Sequence, residues 1–272
     1  MPATRTRVAV VAVAALALAA PLSLKNADAA TTRTAVKADS ATTHTATSAL
    51  KDQKTAAATA DQVLARVRAN MTSANQVNSE PHINTMTRDE NVNVYQVASG
   101  VYAYTSSMAI DDDGSDPDSD PDHQDSTTFQ DSNGEALAAH HVPFYVLGAD
   151  CSEGTSPCPH FFYQEHDIAG GQFALIFYHG KCIGSIFGDT QTGNDQTTSD
   201  NDSRELGEAS VKAASLLGIP SSGTTGGVDD GVTVVIFSGS SWVVNGTNAN
   251  LNAHAQALVT NALNSLGTSL GR

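Results

Sequence analysis

Two apolar runs that are separated by only two residues place the strongest constraint on the fold. Residues 172–178 and 181–187 are rich in β-branched and aromatic side chains, and His179-Gly180 lies between them. A turn-tolerant residue followed by glycine is typical of a two-residue β-hairpin. The pattern therefore predicts two antiparallel strands in this part of the chain.

The residues after this hairpin predict a pair of carboxylates. The second strand runs into Gly188-Asp189-Thr190, so Asp189 is expected where the strand leaves the sheet. Residues 206–217 have apolar side chains at helical spacing, and Gly218 and Pro220 follow as end signals, which predicts a helix with Glu208 in its first turn. Two carboxylates on rigid elements, one on each side of a polar insertion, are candidates for acid–base chemistry.

The rest of the chain predicts a β-rich fold. Alternating or apolar runs indicate strands at 91–94, 101–110, 142–147 and 232–237, and helical spacing indicates helices at 61–71 and 251–266. Short strands joined by polar loops, with few helices, favour an α+β class. We expect a compact, barrel-like domain with an antiparallel or mixed sheet and two or three flanking helices.

The first sixty residues are not domain-like. Residues 1–29 have Arg5 and Arg7, then an apolar run, then Ala27-Asp28-Ala29, which is typical of a secretory signal peptide. Residues 30–60 are mostly Thr, Ala, Ser, Lys and Asp, and predict a disordered spacer. We therefore expect a secreted, extracellular protein with one domain at 61–272, whose core covers about 90–266.

The charge is strongly acidic. The chain has 29 Asp and Glu against 14 Lys and Arg, a formal net charge of −15 at pH 7. This charge repels nucleic acids and anionic membrane surfaces and attracts polycations. We therefore expect neither a nucleic acid nor a membrane as a partner, although acidic surfaces also simply keep secreted proteins soluble.

Eight aspartates crowd into residues 111–125. Three interpretations are open, because unpaired carboxylates either hold a cation or stay solvated. A calcium loop would use oxygens at alternate positions from Asp113 onward, but the distal Glu of the twelve-residue pattern is absent. A solvated loop is the second interpretation. The third is a rim that binds a positively charged polymer, with Asp111, Asp113 and Asp116 as substrate-binding candidates.

The cysteines and histidines do not indicate a metal site. Cys151 and Cys158 bracket a short loop and are the expected disulfide pair in an oxidising compartment, with free thiols as the alternative. Cys182 lies in an apolar strand and is expected to be an inert buried thiol. No spacing of Cys or His matches a zinc pattern. We therefore expect neither a metal nor a cofactor.

Several motifs together carry a family resemblance. They are YTSSMAIDDDG (104–114), HHVPFYVL (140–147), IAGGQFALIFYHGK (168–181), IFGDT (186–190), LGEASVKAASLLGIP (206–220) and VTVVIFSGSS (232–241). In this order the chain resembles the glycoside hydrolase family 75 chitosanases over roughly residues 90–265. GDT followed by GEAS is the most specific combination.

The resemblance implies an activity and two site residues. It implies a secreted endo-acting enzyme that hydrolyses β-1,4 glucosaminyl bonds of chitosan with inversion, with Asp189 of GDT and Glu208 of GEAS as the catalytic carboxyls. We expect Glu208 to be the acid and Asp189 the base. The opposite assignment stays open, because a helix N-terminus lowers the pKa of a carboxyl in its first turn.

Two departures from the family pattern bear on substrate preference. Family members commonly have DMDID before the acidic loop, whereas this chain has Ser107-Met108-Ala109-Ile110-Asp111 and so lacks one acidic side chain. The insertion between GDT and GEAS is also longer than in the family. Two other functions are alternatives: a non-catalytic, calcium-dependent polysaccharide-binding surface protein, and a hydrolase of another polysaccharide that uses the same carboxyls.

Overall fold

The computed structural model describes residues 59–121, 123–191 and 202–271. The predicted signal peptide, residues 30–58 of the spacer and residues 192–201 of the polar insertion lie outside the described residues. The described strands are β1 (His82–Asn84), β2 (Glu90–Val92), β3 (Tyr95–Ala98), β4 (Val101–Asp111), β5 (Phe144–Gly148), β6 (Phe173–Tyr178), β7 (Lys181–Gln191), β8 (Glu205–Leu206), β9 (Glu208–Ser210) and β10 (Val228–Phe237). The described α-helices are α1 (Ala60–Asn70), α2 (Val211–Leu217) and α3 (Leu251–Ser269), and short 3-10 helices lie at Ser73–Asn75, Tyr163–His166 and Ser240–Trp242.

Six of the strands close into a barrel. Their order is β10, β6, β7, β5, β9 and β4, and β4 pairs with β10 to complete the circle. The pairs β5–β7 and β4–β9 are parallel, and the other pairs around the barrel are antiparallel. β3 adds to β4, while β2, β1 and β8 form a separate small sheet. This mixed barrel with its helices confirms the predicted β-rich α+β class.

The predicted hairpin is present and consists of β6 and β7. Tyr178 pairs with Lys181 across the turn. His179 and Gly180 have φ angles of 44° and 76°, the left-handed values that a type I′ turn requires at both central positions. The hairpin is the part of the fold that local sequence determines most directly.

The barrel strands bury side chains on both faces, since neighbouring residues of a strand point to opposite sides. Leu175 and Phe177 of β6 pack in one apolar cluster with Ala255 and Leu266 of α3. Ala174 and Ile176 pack in a second cluster, which contains most of the buried residues of α2. α3 therefore packs with side chains of one face of these strands, and α2 packs with side chains of the opposite face. Among the residues that the structure describes, no helix has the length and apolar character needed to cross a bilayer.

The start of α2 differs from the prediction. The helix begins at Val211 instead of residue 206, and Ser210 caps it by accepting a hydrogen bond from the backbone N–H of Ala213. The preceding residues form β9, in which Ala109 of β4 lies opposite Glu208. Pairing with β4 uses the backbone groups that a helix would need. The prediction that Glu208 lies in the first helical turn is therefore wrong.

Other boundaries shift by a few residues. α1 begins at Ala60 and is capped by Thr59, whose side chain accepts from the N–H of Gln62. α3 extends to Ser269. β7 continues to Gln191, so Asp189 lies within the strand, two residues before its end, and not beyond it.

The expected disulfide bond is present, and Cys182 is half-buried. Cys151 and Cys158 form a disulfide bond. Cys182 is a free thiol, and burial raises its pKa to about 12, so it is neutral and unreactive at ordinary pH.

Candidate active site

Four neighbouring strands of the barrel form the base of an acidic cleft. The cleft has a volume of about 580 Å³. It lies where β4, β9, β5 and β7 adjoin, and these strands present Asp111, Glu208, Val146 and Asp189 to it. Its remaining lining residues come mainly from the loops after β4 and before β10, namely Asp112, Asp113, Asp120, Pro121, Gln124, Ser126, Thr127, Thr128, Gly223 and Thr224, together with Ile110, Thr190 and Gln191 of the strands.

A β-bulge precedes Asp189. In the pairing of β5 with β7, Tyr145 lies opposite Phe187 and Val146 lies opposite Asp189, so Gly188 is the extra residue. A Cβ atom on Gly188 would lie 2.4 Å from Cβ of Phe144, which leaves space for glycine alone. Bulges of this kind re-aim the side chain that follows. The glycine of the GDT motif therefore has a structural role in placing the aspartate.

Hydrogen-bond donors hold the carboxyl group of Asp189. Its Oδ1 accepts from the backbone N–H of Thr128 at 2.9 Å, from Thr128 Oγ1 at 2.7 Å and from the N–H of Thr190 at 2.7 Å. The side chain is 9 % exposed. All three donors reach the same oxygen, so Oδ1 is held in place as an acceptor. Asp189 is thus a fixed, buried acceptor in the wall of the cleft.

Glu208 has the properties of a proton donor. Burial raises the pKa of Glu208 to about 8, with further contributions from the negative charges of Glu205 and Asp189. Its Oε2 accepts a hydrogen bond of 3.0 Å from Nε2 of Gln191. A carboxyl group with this pKa keeps its proton at neutral pH. The cleft thereby contains one carboxyl that can give a proton and another that is held by donors.

Asp111 lies with this pair. Burial raises the pKa of Asp111 well above its usual value, and the neighbouring charges of Glu208, Asp189 and Asp113 raise it further. One carboxylate oxygen from each of Asp111, Asp113 and Asp189 lies within 4.8 Å of the others. Carboxyl groups this close cannot all ionise at low cost. The structure therefore places Asp111 in the cleft close to Asp189 and Glu208.

The other two substrate-binding candidates have different positions. Asp113 lines the cleft, and its two oxygens accept from the backbone and side chain of Gln124. Asp116 is not among the lining residues of the cleft. Its carboxylate accepts from the N–H of His140 at 2.9 Å and contacts Nδ1 of His141 at 3.0 Å. Substrate binding by Asp116 stays a prediction.

The histidine contacts also bear on the calcium-loop interpretation. Asp118, one of its alternate-position aspartates, contacts Nε2 of His140 at 2.7 Å and accepts from the backbone N–H groups of Ser119 and Asp120. Asp116 and Asp118 are therefore engaged by neighbouring protein groups. They are not members of the carboxylate and histidine groups of the described residues that are close enough to share an ion.

Sequence reasoning missed three residues that support the site. Thr128 holds Asp189, Gln191 contacts Glu208, and the buried Glu205 forms an ion pair with Arg88 beside Glu208. Gln191 and Glu205 stand at the two ends of the polar insertion, next to the GDT and GEAS motifs. Thr128 lies in a segment without a motif, and its role follows only from the fold.

The cleft contains one carboxyl that keeps its proton and a second carboxyl that is held as an acceptor. This is the kind of pair that glycoside hydrolases use. A sequence model of the family described as fungal chitosanase of glycosyl hydrolase group 75 matches residues 108–272. This match covers more than half of the chain, and the protein belongs to that family. It is a glycoside hydrolase, and chitosan hydrolysis is its general activity. A search of curated proteins found no match.

Proposed function

We propose that the protein is a secreted endo-chitosanase that cleaves β-1,4 bonds between glucosamine units with inversion at the anomeric carbon. Glu208 is the general acid and Asp189 is the general base. The observation that carries the assignment is the pKa of Glu208, raised to about 8 in the cleft that Asp189 also lines. Family membership favours this enzymatic function over the non-catalytic alternative.

The mechanism follows from the two carboxyl groups. Glu208 gives its proton to the glycosidic oxygen of the leaving sugar. Asp189 accepts a proton from a water molecule that attacks the anomeric carbon from the opposite face. Inverting enzymes separate these carboxyls by roughly 6.5–9.5 Å to leave room for that water. Asp189 accepts three hydrogen bonds, which hold its carboxyl group in place and so fix the direction from which it activates the water.

The acidic cleft supports chitosan as the substrate. Asp112, Asp113 and Asp120 line the wall beside the proposed reacting groups. Protonated amines of glucosamine carry positive charge, and a cleft with negative charge on its walls concentrates such a polymer near the site. The same charge supports the expectation that nucleic acids and anionic membranes are not partners.

Secretion is part of the proposal. The charged start, apolar centre and small-residue exit of residues 1–29 support an exported protein that is cut after Ala29. The disulfide bond between Cys151 and Cys158 agrees with an oxidising compartment. N-terminal sequencing of the protein recovered from culture medium tests this part, and an intact N-terminus on cell-retained protein would contradict it.

The decisive experiment compares Asp189→Asn and Glu208→Gln with the wild type on chitosan oligomers. Each substitution is expected to lower kcat by about 10²–10⁴-fold, the usual contribution of a general acid or base. Asp230→Asn and Glu135→Gln, both at exposed positions, are the matched controls and should keep wild-type activity. Full activity in both site variants would refute the assignment.

The products test the finer statements. Proton NMR during early turnover should show the α-anomer first if the reaction inverts a β bond. A mixture of oligomers from long chitosan, with a rapid loss of viscosity, is expected of an endo-acting enzyme. Comparison with chitin and cellulose distinguishes a chitosanase from a hydrolase of another polysaccharide.

A further inference from the structure

A second group of side chains, two of which line the cleft, takes no part in the proposed proton transfers. It consists of Asp112, Asp113 and His123, at the two ends of the aspartate-rich loop that follows β4. One ring nitrogen of His123 and one carboxylate oxygen from each aspartate lie within 4.8 Å of one another. Atoms at such separations can contact a single ion.

Two atoms of the group are buried without a hydrogen bond. Asp112 is 7 % exposed, and its Oδ2 has less than 1 Å² of accessible surface and no hydrogen-bond partner among the described residues. The same holds for Nε2 of His123, whose side chain is 9 % exposed. Nε2 lies 3.4 Å from Oδ1 of the exposed Asp125, which is an ion-pair contact and not a hydrogen bond. Buried polar atoms of native proteins nearly always have partners, so these two atoms point to a bound ligand.

The ring orientation of His123 favours a metal ion as that ligand. Its Nδ1 lies 2.8 Å from the backbone carbonyl oxygen of Asp112. A carbonyl oxygen only accepts, so Nδ1 carries a proton, and Nε2 is the ring nitrogen that is left to bind an ion when the ring is neutral. Metal-binding histidines typically donate their other N–H to a carbonyl or carboxylate, which orients the ring towards the ion.

We propose that Asp112, Asp113 and His123 bind a divalent transition-metal ion of the Zn²⁺ or Mn²⁺ type. One imidazole nitrogen with two carboxylates suits these ions, whereas Ca²⁺ and Mg²⁺ prefer oxygen ligands alone. The ion neutralises part of the negative charge and joins the two ends of the loop that forms one wall of the cleft. This proposal revises the expectation of no metal, and it does not depend on the proposed hydrolysis.

A substrate amine fits this position less well than a metal ion. An ammonium group of chitosan is attached to a sugar and needs an opening wider than a water molecule. Oδ2 of Asp112 is closed to water, because Gly223 packs so closely that a Cβ atom there would lie 2.2 Å from it. A bare ion of small radius is therefore the better occupant.

The test uses the purified full-length protein without an affinity tag, after treatment with a chelator. Calorimetric titration with ZnCl₂ and MnCl₂ is expected to show one bound ion of at least one of these metals at micromolar affinity or tighter. CaCl₂ and MgCl₂ are expected to bind at least 100-fold more weakly. Asp112→Asn and His123→Ala should each weaken binding of the transition metal by 100-fold or more.

His141→Ala is the matched control, because His141 is an exposed histidine that pairs with Asp116 outside the group. It should keep wild-type affinity. Absence of binding in the wild type, or equal binding in all variants, would overturn the proposal. If the variants fail to fold by circular dichroism, wild-type crystals grown with ZnCl₂ or MnCl₂ still decide the question. An anomalous peak between the three side chains supports the site, and no peak or a peak elsewhere refutes it.

Discussion

At the scale of single residues, the surroundings of Glu208 and Asp189 give two similar side chains different properties. Glu208 lies in a strand, two residues before the helix cap Ser210, so it is outside the first turn in which a helix N-terminus would lower its pKa. Burial and the charges of Glu205 and Asp189 raise the pKa instead. This removes the physical argument against Glu208 as the acid.

Substitution of Glu205 by glutamine tests the origin of this pKa. Loss of the negative charge is expected to lower the pKa of Glu208 from its value of about 8. A general acid works only while it is protonated, so activity falls as pH rises through its pKa. The alkaline limb of the kcat/KM profile of Glu205→Gln should therefore move to lower pH.

The control for this prediction is Glu135→Gln, which removes a charge at an exposed position. Its pH profile should coincide with that of the wild type. An alkaline limb that stays in place in Glu205→Gln, while the protein remains folded, would show that the charge of Glu205 does not act on the acid.

At the scale of elements, β7 connects the fold to the site. Its first half forms the hairpin with β6, and its second half pairs in parallel with β5 across the bulge at Gly188. The strand is therefore paired along its whole length, first with β6 and then with β5, and Asp189 lies in the part that pairs with β5. This arrangement positions the carboxyl on a rigid element, which gives better precision than a loop.

Replacement of Gly188 by alanine should disturb the site more than the fold. The new Cβ atom would lie 2.4 Å from Cβ of Phe144, so the bulge must move. Overpacking of this kind costs about 1–3 kcal/mol. Urea unfolding should show that loss, and kcat should fall by about tenfold or more because Asp189 shifts with the backbone.

Gly154→Ala serves as the comparison, because its added Cβ atom meets nothing within 4 Å. Its φ angle is +62°, so a moderate loss of stability is expected from backbone strain alone. It should leave kcat unchanged. Equal kcat values for the wild type and Gly188→Ala would contradict the role of the bulge.

At the scale of the whole molecule, pairing between strands that are distant in the chain creates the cleft. Asp111, Asp189 and Glu208 come from three strands that lie far apart in the chain, and the pairs β4–β9 and β5–β7 bring them to one place. Concentration of carboxyl groups in a buried region costs stability when they ionise. The cluster of carboxyl groups in the cleft therefore lowers the stability of the folded state at pH values at which these groups ionise.

The stability of the protein should depend on pH through Glu208. In the unfolded chain Glu208 ionises near its ordinary pKa of 4.5, whereas the folded protein keeps the proton up to about pH 8. The folded state thus binds more protons between these values, and the free energy of unfolding falls as pH rises through this window. Because glutamine does not ionise, the free energy of unfolding of Glu208→Gln should not fall in this way.

Thermal unfolding of the wild type and Glu208→Gln at several pH values measures the effect. The two melting temperatures should be similar near pH 4, and the variant should become the more stable protein as pH approaches about 8. Each kcal/mol corresponds to about 2–4 °C for a domain of this size. A constant difference across the range would contradict the shift in the pKa of Glu208.

The sequence by itself determined the local features of this protein. The hairpin at His179-Gly180 and the class of fold follow from alternation and turn residues, because these act between near neighbours. The GDT and GEAS motifs led to the family and to Asp189 and Glu208 as candidates. The predicted start of α2 was wrong, because pairing of residues 208–210 with β4 competes with helix formation. This pairing depends on a partner about 100 residues away in the chain.

Only the tertiary structure decided which of the acidic residues lie in the cleft and which lie outside it. Asp111 joins Asp189 and Glu208, Asp113 lies between the cleft and the proposed metal site, and Asp116 turns to His141. Asp111, Asp113 and Asp116 belong to one aspartate-rich segment, and no periodic pattern in the sequence distinguishes them. Burial and the charges of Glu208 and Asp189 on other strands raise the pKa of Asp111, and these long-range contacts exist only in the folded barrel.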